Sequence, residues 1–448
     1  MYIVGKTKLT GRIVTPKDCE YDAARTNLNL DIQKSPCLIV FCQNGQDVLN
    51  ALKWAREHDV PFRLRSGRHS YENFSLTNKG LIIDVSEMNH ITVNITNSTA
   101  TIEAGANLGD VYSKLWKYGF TIPAGTSASV GLVGLTLGGG IGMLSRQFGL
   151  TCDNLLEIEM VQAFGRTDAR IIRASKTENP NLFWACCGGG GGNFGIVTSF
   201  TFRIHPVQNV SIFSLTWKWE NLQQVFDTWQ KWAPYTDQRL TSSIELFAQQ
   251  MNKIEVQGEF IGSSSELLSL LNPLLTVGQP TLFINEVPYI KAVQFFNGGN
   301  RPEKFKRSGS YIYKPLPLEA IQILQAFLED APSPTASVWH QSLSGAVQKV
   351  PPTETAYFHR NAIITQEYTT SWKCNRDKKS NIDWIKHLRN AMSPYTAGDY
   401  VNWPDLDIKN WQTTYYGTNL TRLREVKTAY DPHNVFRFAQ SIPPLSKK

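Results

Sequence analysis

The chain is poor in histidine, with eight in 448 residues, and none of its seven cysteines is spaced as C-x-x-C. A zinc finger or ribbon therefore has no ligand set, and no metal site is expected. The cysteines (Cys19, Cys37, Cys42, Cys152, Cys186, Cys187 and Cys374) are odd in number and read as reduced, mostly buried thiols, not a disulfide framework. No run of eighteen apolar residues occurs, which excludes a membrane-spanning helix. The opening stretch MYIVGKTKLTGRIVTP lacks an apolar segment followed by a small-residue cleavage site, so a cytoplasmic protein is expected and the Asn94-Ile95-Thr96 sequon carries little weight. The net charge of +7 is spread along the chain, and short basic runs such as Arg376-Asp377-Lys378-Lys379 include acids. That pattern describes a solvated surface, not a nucleic-acid groove. Mild basicity does suit an anionic cofactor. Three catalytic signatures are also missing. Gly138, Gly140 and Gly142 do not have the G-x-G-x-x-G spacing of a dinucleotide fold, no G-x-x-x-x-G-K-[ST] loop exists, and no G-x-S-x-G elbow is present.

What remains is long enough for two domains. In the first half, strand-like and helix-like segments alternate. CLIVFC (37–42), PFRLR (61–65) and LIIDV (81–85) read as strands. QDVLNALKWAREHDV (46–60) places Val48, Leu49, Leu52 and Ala55 on one helical face with Asp47 at the positive end. LGDVYSKLWKYG (108–119) is a second amphipathic helix, closed by Gly119. From about residue 210 glycine thins and aromatics rise. SIFSLTWKW (211–219), SSIELFAQ (242–249) and ITQEYTTSW (364–372) read as strands. LQQVFDTWQKW (222–232), SSELLSLLNPLL (264–275) and LEAIQILQAFLE (318–329) read as helices covering them. The expected class is α+β, with an antiparallel sheet backed by helices as the second domain. A last helix, NLTRLREVKTAY (419–430), stops at Asp431-Pro432.

The chemistry concentrates in glycine. GTSASVGLVGLTLGGGIG (125–142) and GGGGGNFG (188–195) are dense clusters set among apolar residues. Glycine lets backbone amides approach a ligand, and successive amides form an anion-binding nest, so a phosphate-bearing or large planar ligand is expected. The stretch RSGRHS (65–70) leaves a strand through small residues. Its amides can face a pyrophosphate, Arg65 or Arg68 can add charge or point to water, and His69 would lie beside the ligand.

These segments together resemble a known family. R-S-G-x-H-S, the series Gly125, Gly131, Gly134, Gly138-Gly139-Gly140 and Gly142, then G-L-x-x-D-N (149–154) and G-G-N-F-G-I-V-T (191–198), are similar to the FAD-linked oxidases of the vanillyl-alcohol oxidase/p-cresol methylhydroxylase (PCMH) superfamily. YVNWPDLD (400–407), YYGTNLTRLREVK (415–427) and DPHNVFRFAQSIPP (431–444) narrow the likeness to the berberine bridge enzyme-like subfamily. The resemblance implies a two-domain, PCMH-type FAD-binding fold. Residues 1–205, completed by 395–448, would hold FAD, and 206–394 would bind substrate. It implies that His69 carries FAD on a ring nitrogen. Ser66, Gly67, Arg68 and Ser70, with Thr126, Gly195, Ile196, Val197 and Asn402, would line the cofactor.

Two departures from the family pattern change the chemistry expected. Serine stands at Ser127, where many relatives carry a second FAD-linking cysteine, and a hydroxyl is a far poorer nucleophile than a thiolate. One covalent link is expected, and with it a weaker oxidant. Arg68 occupies the family's second glycine of R-S-G-G-H-S, so its side chain must turn away from the pyrophosphate or pair with it. Val130 aligns with the position that gates oxygen; a small residue there favours an oxidase releasing hydrogen peroxide, although a valine also simply packs. Two residues are candidates for the base that takes the substrate proton: Tyr400, with its pKa lowered by a cation or the flavin and Asn402 on the same strand face, or Glu367, facing substrate with a raised pKa or else facing solvent. Ile141 replaces the tyrosine of G-G-G-Y-G. Trp403 and Tyr368 could stack on a ring of the substrate. A small alcohol, sugar, phenol or alkaloid-like molecule and O2 are the expected partners, with a dehydrogenase or a flavin-binding structural protein as alternatives.

Overall fold

The structure is a computed structural model and describes residues 7–298 and 301–446. Residues 1–6, which begin the stretch read for an export signal, lie outside the described residues, as do 299–300 and 447–448.

The sheets explain the two textures of the sequence. A four-stranded sheet is built in the order Arg12–Val14, Leu38–Phe41, Leu81–Asp84, Phe62–Arg65, and its last three strands are parallel. The strand Leu81–Asp84 is buried throughout, as a parallel strand covered on both faces must be. Beside it lies an antiparallel sheet of Ile91–Asn94, Thr99–Glu103, Ile196–Arg203, Leu155–Phe164 and Asp168–Ser175. The helix Gly45–Glu57 packs Val48, Ala51, Leu52 and Ala55 inward. Its cap is Asn44, whose side chain accepts from the Asp47 amide. Leu108–Trp116 is helical, and Gly119 follows with φ +75°, in the left-handed region that favours glycine.

The third sheet has seven antiparallel strands, ordered Thr281–Pro288, Asn209–Trp217, Ile254–Phe260, Leu240–Phe247, Ser337–Ser342, Ile364–Trp372, Lys304–Ile312. Leu222–Trp232, Leu318–Glu329 and Lys378–Met392 supply helices to the apolar core on one of its faces. The strand Ile364–Trp372 shows why: Gln366, Tyr368, Thr370 and Trp372 are buried, while Glu367 and Thr369 stand on the other side. That second face is polar and looks toward the glycine-rich loops. One expected helix differs from its reading. The segment 264–275 breaks into Ser264–Leu270 and Asn272–Leu275, because Pro273 lacks the N–H a continuous helix needs. The helix Leu420–Tyr430 ends at Asp431 as read. Tyr289 and Ala292, although within 206–394, join the core shared by the first two sheets.

Candidate active site

Between the glycine-rich loops and the polar face of the large sheet lies a cavity of about 660 Å³. Its walls come from segments far apart in sequence. The expected residues Arg65, Ser66, Gly67, Arg68, His69 and Ser70 line it, with Gly125, Thr126, Ser127, Val130, Gly131 and Gly134. Gly195, Ile196, Val197, Glu367, Tyr400 and Asn402 complete the expected set that the fold brings together there.

The loop after strand Phe62–Arg65 is held from below. Arg65 is fully buried, and its Nε donates to the Asp84 carboxylate at 2.5 Å. Its charge is therefore engaged with Asp84. Arg68 has φ +62°, the conformation glycine would take most easily, and its guanidinium turns back to the Ala23 carbonyl at 3.3 Å. Among the described residues the amides of Gly67, Arg68, His69 and Ser70 donate to no protein acceptor, so four consecutive N–H groups are left for a ligand. Gly67 touches the second loop so closely that an added Cβ would sit 2.1 Å from the Gly131 nitrogen. His69 lies at this junction. Its Nε2 is 2.9 Å from Ser129 Oγ, and burial, with Arg307 nearby, pushes its pKa down to about 4. The imidazole is thus neutral at ordinary pH.

Gly138, Gly139, Gly140 and Gly142 correct the sequence reading. They do not line the cavity. They pack behind its wall: a Cβ on Gly142 would lie 1.7 Å from the Ala124 carbonyl, and one on Gly138 would lie 2.1 Å from Asn402 Oδ1. Their absent side chains make room for protein, and only their neighbours Leu135, Leu137 and Ile141 reach the cavity.

Tyr400 and Asn402 do not share a strand face. The segment is a turn, closed by the Trp403 amide on the Tyr400 carbonyl at 2.9 Å. The turn instead brings the two side chains together: Asn402 Nδ2 donates to Tyr400 Oη at 2.9 Å, and the Gly140 amide donates to it at 3.0 Å. Burial raises the phenol's pKa, and these two donors pull against it. The lowering by a cation that was expected is absent: the favourable influences are backbone and side-chain N–H groups. Their geometry still favours an oxyanion at Oη if the proton leaves.

Glu367 faces the cavity, not solvent, and Gln366 points the other way, to His340 at 2.7 Å. Its surroundings include a phenol and a guanidinium. Tyr71 donates to Glu367 Oε1 at 2.6 Å, and Arg307 stands 3.8 Å away with its guanidinium over the Tyr71 ring. Burial still leaves the carboxyl pKa raised, against the lowering effects of Arg307 and Tyr71. Tyr71 and Arg307 were missed. Tyr71 was within reach, two residues past His69; Arg307 sits in a basic run, KFKR (304–307), that says nothing of its direction. Tyr368 is fully buried on the helix-covered face and does not reach the cavity, whereas Trp403 does.

Arg63 and Arg437 also line the cavity. Burial lowers the Arg63 pKa, and the positive charge of Arg437 lowers it further. An anion between them would relieve that repulsion. The helix Leu420–Tyr430 fixes this part of the wall: buried Lys427 donates to the carbonyls of Asn193 and Phe436, each at 2.6 Å, and pairs with Asp431 at 2.7 Å. The second glycine cluster and the C-terminal tail are thus tied to one ammonium. A sequence pattern gives no warning of a buried lysine in a charged helix.

Free amides, glycine-limited loop contacts, a neutral imidazole and two arginines fit a dinucleotide such as FAD. Comparison with known proteins agrees. Residues 36–168 match the family model described as FAD binding domain, and residues 399–443 match that described as Berberine and berberine like. The uncharacterized FAD-linked oxidoreductase YgaK of Bacillus subtilis is 59% identical over 99% of both chains. The chain belongs to the berberine bridge enzyme-like family of FAD-linked oxidoreductases. Berberine bridge enzyme-like 22 of Arabidopsis thaliana is 30% identical, with 94% of this chain and 86% of that protein covered. Among solved structures, Physcomitrella patens BBE-like 1 superposes with a TM-score of 0.92 at 30% identity over 98% of each chain. A chitooligosaccharide oxidase gives 0.89 at 27% identity over 97% of this chain and 98% of that one. The FAD-binding, PCMH-type α+β fold and the enzyme class expected of the berberine bridge enzyme-like family therefore hold. Among the described residues no helix is long and apolar enough to cross a membrane, and no group of metal-ligating side chains gathers.

Proposed function

We propose that this protein is an FAD-linked oxidase, with FAD carried on His69 through one covalent link, that oxidises a small hydroxyl-bearing molecule and passes the electrons to O2. The observation that carries the reading is His69: a neutral ring nitrogen at the meeting point of the two loops, beside four free amides. A neutral imidazole keeps the lone pair a nucleophile needs, and with Nε2 engaged by Ser129, Nδ1 is the nitrogen left for attachment. Residues 1–205 with 395–448 would hold the cofactor, and 206–394 the substrate. The free amides of 67–70 would meet the pyrophosphate. Arg63 and Arg437 would supply the positive charge that Arg65 and Arg68 do not.

FAD, when bound, supplies two-electron chemistry: an alcohol and O2 become a carbonyl compound and H2O2. The protein's own residues position the substrate and handle its proton. Tyr400 is the favoured base, because two N–H donors stabilise the oxygen when it is negative. Glu367 is held by Tyr71 and Arg307 and is better placed to orient a substrate hydroxyl. Val130 lines the cavity with a short side chain, which leaves room for O2. Likeness to a chitooligosaccharide oxidase supports both the hydroxyl-bearing substrate and the acceptor.

The test is anaerobic reduction followed by air. Bleaching of the flavin by a sugar or an aryl alcohol without oxygen, then rapid recovery in air with one H2O2 per turnover, is expected. Recovery only with a quinone or dye would make the protein a dehydrogenase. Flavin that no such donor bleaches would favour a structural role.

A further inference from the structure

A file of aromatic rings leads from the cavity to the surface. Trp403 and Tyr400 line the cavity, with ring centroids 5.2 Å apart. Behind Tyr400, at 6.3 Å, stands Tyr311 near the end of strand Lys304–Ile312. Tyr311 stacks on His359 at 4.5 Å and 24°. His359 in turn meets Tyr313, ring to ring at 6.4 Å. Tyr311 and His359 are buried, whereas Tyr313 is 36% exposed. Nothing in the proposed chemistry uses Tyr311, His359 or Tyr313.

The outer end of the file is a matched pair. His359 Nε2 is 2.8 Å from the Thr414 carbonyl and 3.1 Å from that of Tyr415, so Nε2 carries the ring proton. Nδ1 is then an acceptor, and the Tyr313 hydroxyl donates to it at 2.7 Å. Burial brings the imidazole pKa down to about 4, against the pull of the two carbonyls, so the ring is neutral. Gly398, with φ +73°, makes room for this ring: a Cβ there would lie 2.1 Å from His359 Cε1. The inner phenols differ. Tyr357 donates to Tyr311 Oη at 2.8 Å, and among the described residues neither is hydrogen-bonded to an imidazole or a carboxylate. Burial raises the pKa of both. A phenol that loses an electron becomes a strong acid, so an oxidised tyrosine is favoured where a base takes its proton. Of Tyr400, Tyr311, Tyr357 and Tyr313, only the last has such a base.

We propose that this file conducts oxidising equivalents from the cavity to Tyr313, where a reductant in solution can discharge them. A one-electron oxidant formed in the cavity, of the oxygen-radical class that O2 reduction and peroxide generate, takes an electron from Trp403 or Tyr400 and is itself reduced. The deficit moves outward as each ring is refilled by the next. At Tyr313 the electron leaves, the O–H bond breaks and the proton passes to His359 Nδ1, which gives a neutral tyrosyl radical beside an imidazolium. A small reductant of the thiol or ascorbate class returns one electron, and His359 returns the proton. Trp403 and Tyr400 are thereby spared permanent damage. The oxidase reading supplies the oxidant; the route itself rests only on a cavity that holds a flavin.

The test illuminates the holoenzyme with blue light, with cobalt(III) pentaamminechloride as an irreversible electron acceptor and a nitroso spin trap in solution. Light makes the bound flavin a one-electron oxidant and cobalt(III) prevents the electron's return, so no substrate turnover is needed. Radicals are read by EPR in frozen samples, and trap adducts are placed by peptide mass mapping. The native protein is expected to give a tyrosyl signal and adducts on Tyr313. Tyr313→Phe, a change at the surface, should lose those adducts, and oxygen addition at Trp403 and Tyr400 should rise severalfold. His359→Gln, whose amide accepts a hydrogen bond but cannot take the proton, should lower the Tyr313 adducts severalfold. No radical in the native protein, adducts confined to cavity residues, or equal oxidation of Trp403 and Tyr400 with and without Tyr313 would overturn the proposal. Failure of the oxidase reading would appear separately, in the anaerobic reduction experiment, with adducts on Tyr313 still formed. Flavin content of each variant monitors folding.

Discussion

The two sides of the cavity are built from different material. The loop side is mostly backbone: free amides at 67–70, and Gly67 packed so tightly on Gly131 that neither admits a Cβ. The sheet side is mostly side chain, with Glu245, Trp339, Glu367 and Arg307 contributed by four strands. A backbone surface recognises a phosphate or ring whatever else the molecule carries, so it suits a cofactor common to a family. A side-chain surface can change residue by residue on an unchanged sheet, so it suits a substrate that varies.

That contrast can be broken from either side. The largest effect is expected at Tyr400, where the two sides meet. Tyr400→Phe should slow anaerobic flavin bleaching by about 10²- to 10⁴-fold with the flavin content intact. Glu367→Gln should cost less and appear mainly in KM, because Tyr71 and Arg307 keep the amide in place. A larger loss for Glu367→Gln than for Tyr400→Phe would exchange their roles. Next comes Gly67→Ala. The added carbon must push against backbone and not a movable side chain, so the loops separate; flavin loading should fall severalfold and Tm by several degrees. Normal loading would mean the loop contact is looser than drawn.

Ser127→Cys sharpens the cofactor side. In a His69→Ala background it should restore flavin that survives denaturation, as a thiol at this position can attach where serine cannot. The smallest effect is acid sensitivity. Burial holds His205, His340 and His359 at pKa values of about 4, 3 and 4. The unfolded chain takes up protons near pH 6.5 and the folded one only well below, so stability is complete above about 6.5 and declines as pH falls toward 4. Thermal melts from pH 8 to 4.5 should show a monotonic drop in Tm. A constant Tm would mean these imidazoles accept protons in place.

The backbone side was also the legible side. His69, Gly67, Gly131 and Val130 stand in local motifs whose spacing survives in the linear chain, and the helices and strands around them follow apolar periodicity. Gly138 to Gly142 belong to the same motif, yet they make room for Asn402 and Ala124 instead of ligand; spacing cannot separate the two uses of a missing side chain. On the other side Glu367 was found because the spacing E-Y-x-x-x-W of its strand resembles the family's substrate-facing strand; the strand pattern alone left it facing substrate or solvent. Glu245, Trp339 and Arg307 were not, because their meeting depends on the strand order, which no local pattern carries. The arginines show the same limit. Arg65 and Arg68 sit in the motif but spend their charge on Asp84 and Ala23, while Arg63 and Arg437 come together only in the fold.

The most direct measurement is acid precipitation of the purified protein and of His69→Ala, with flavin absorbance read in pellet and supernatant. For the native protein, yellow pellet and a flavin-bearing peptide that contains His69 are expected. For His69→Ala, all flavin should move to the supernatant. Flavin in the native supernatant, or flavin retained in the pellet of His69→Ala, would contradict a single link through His69.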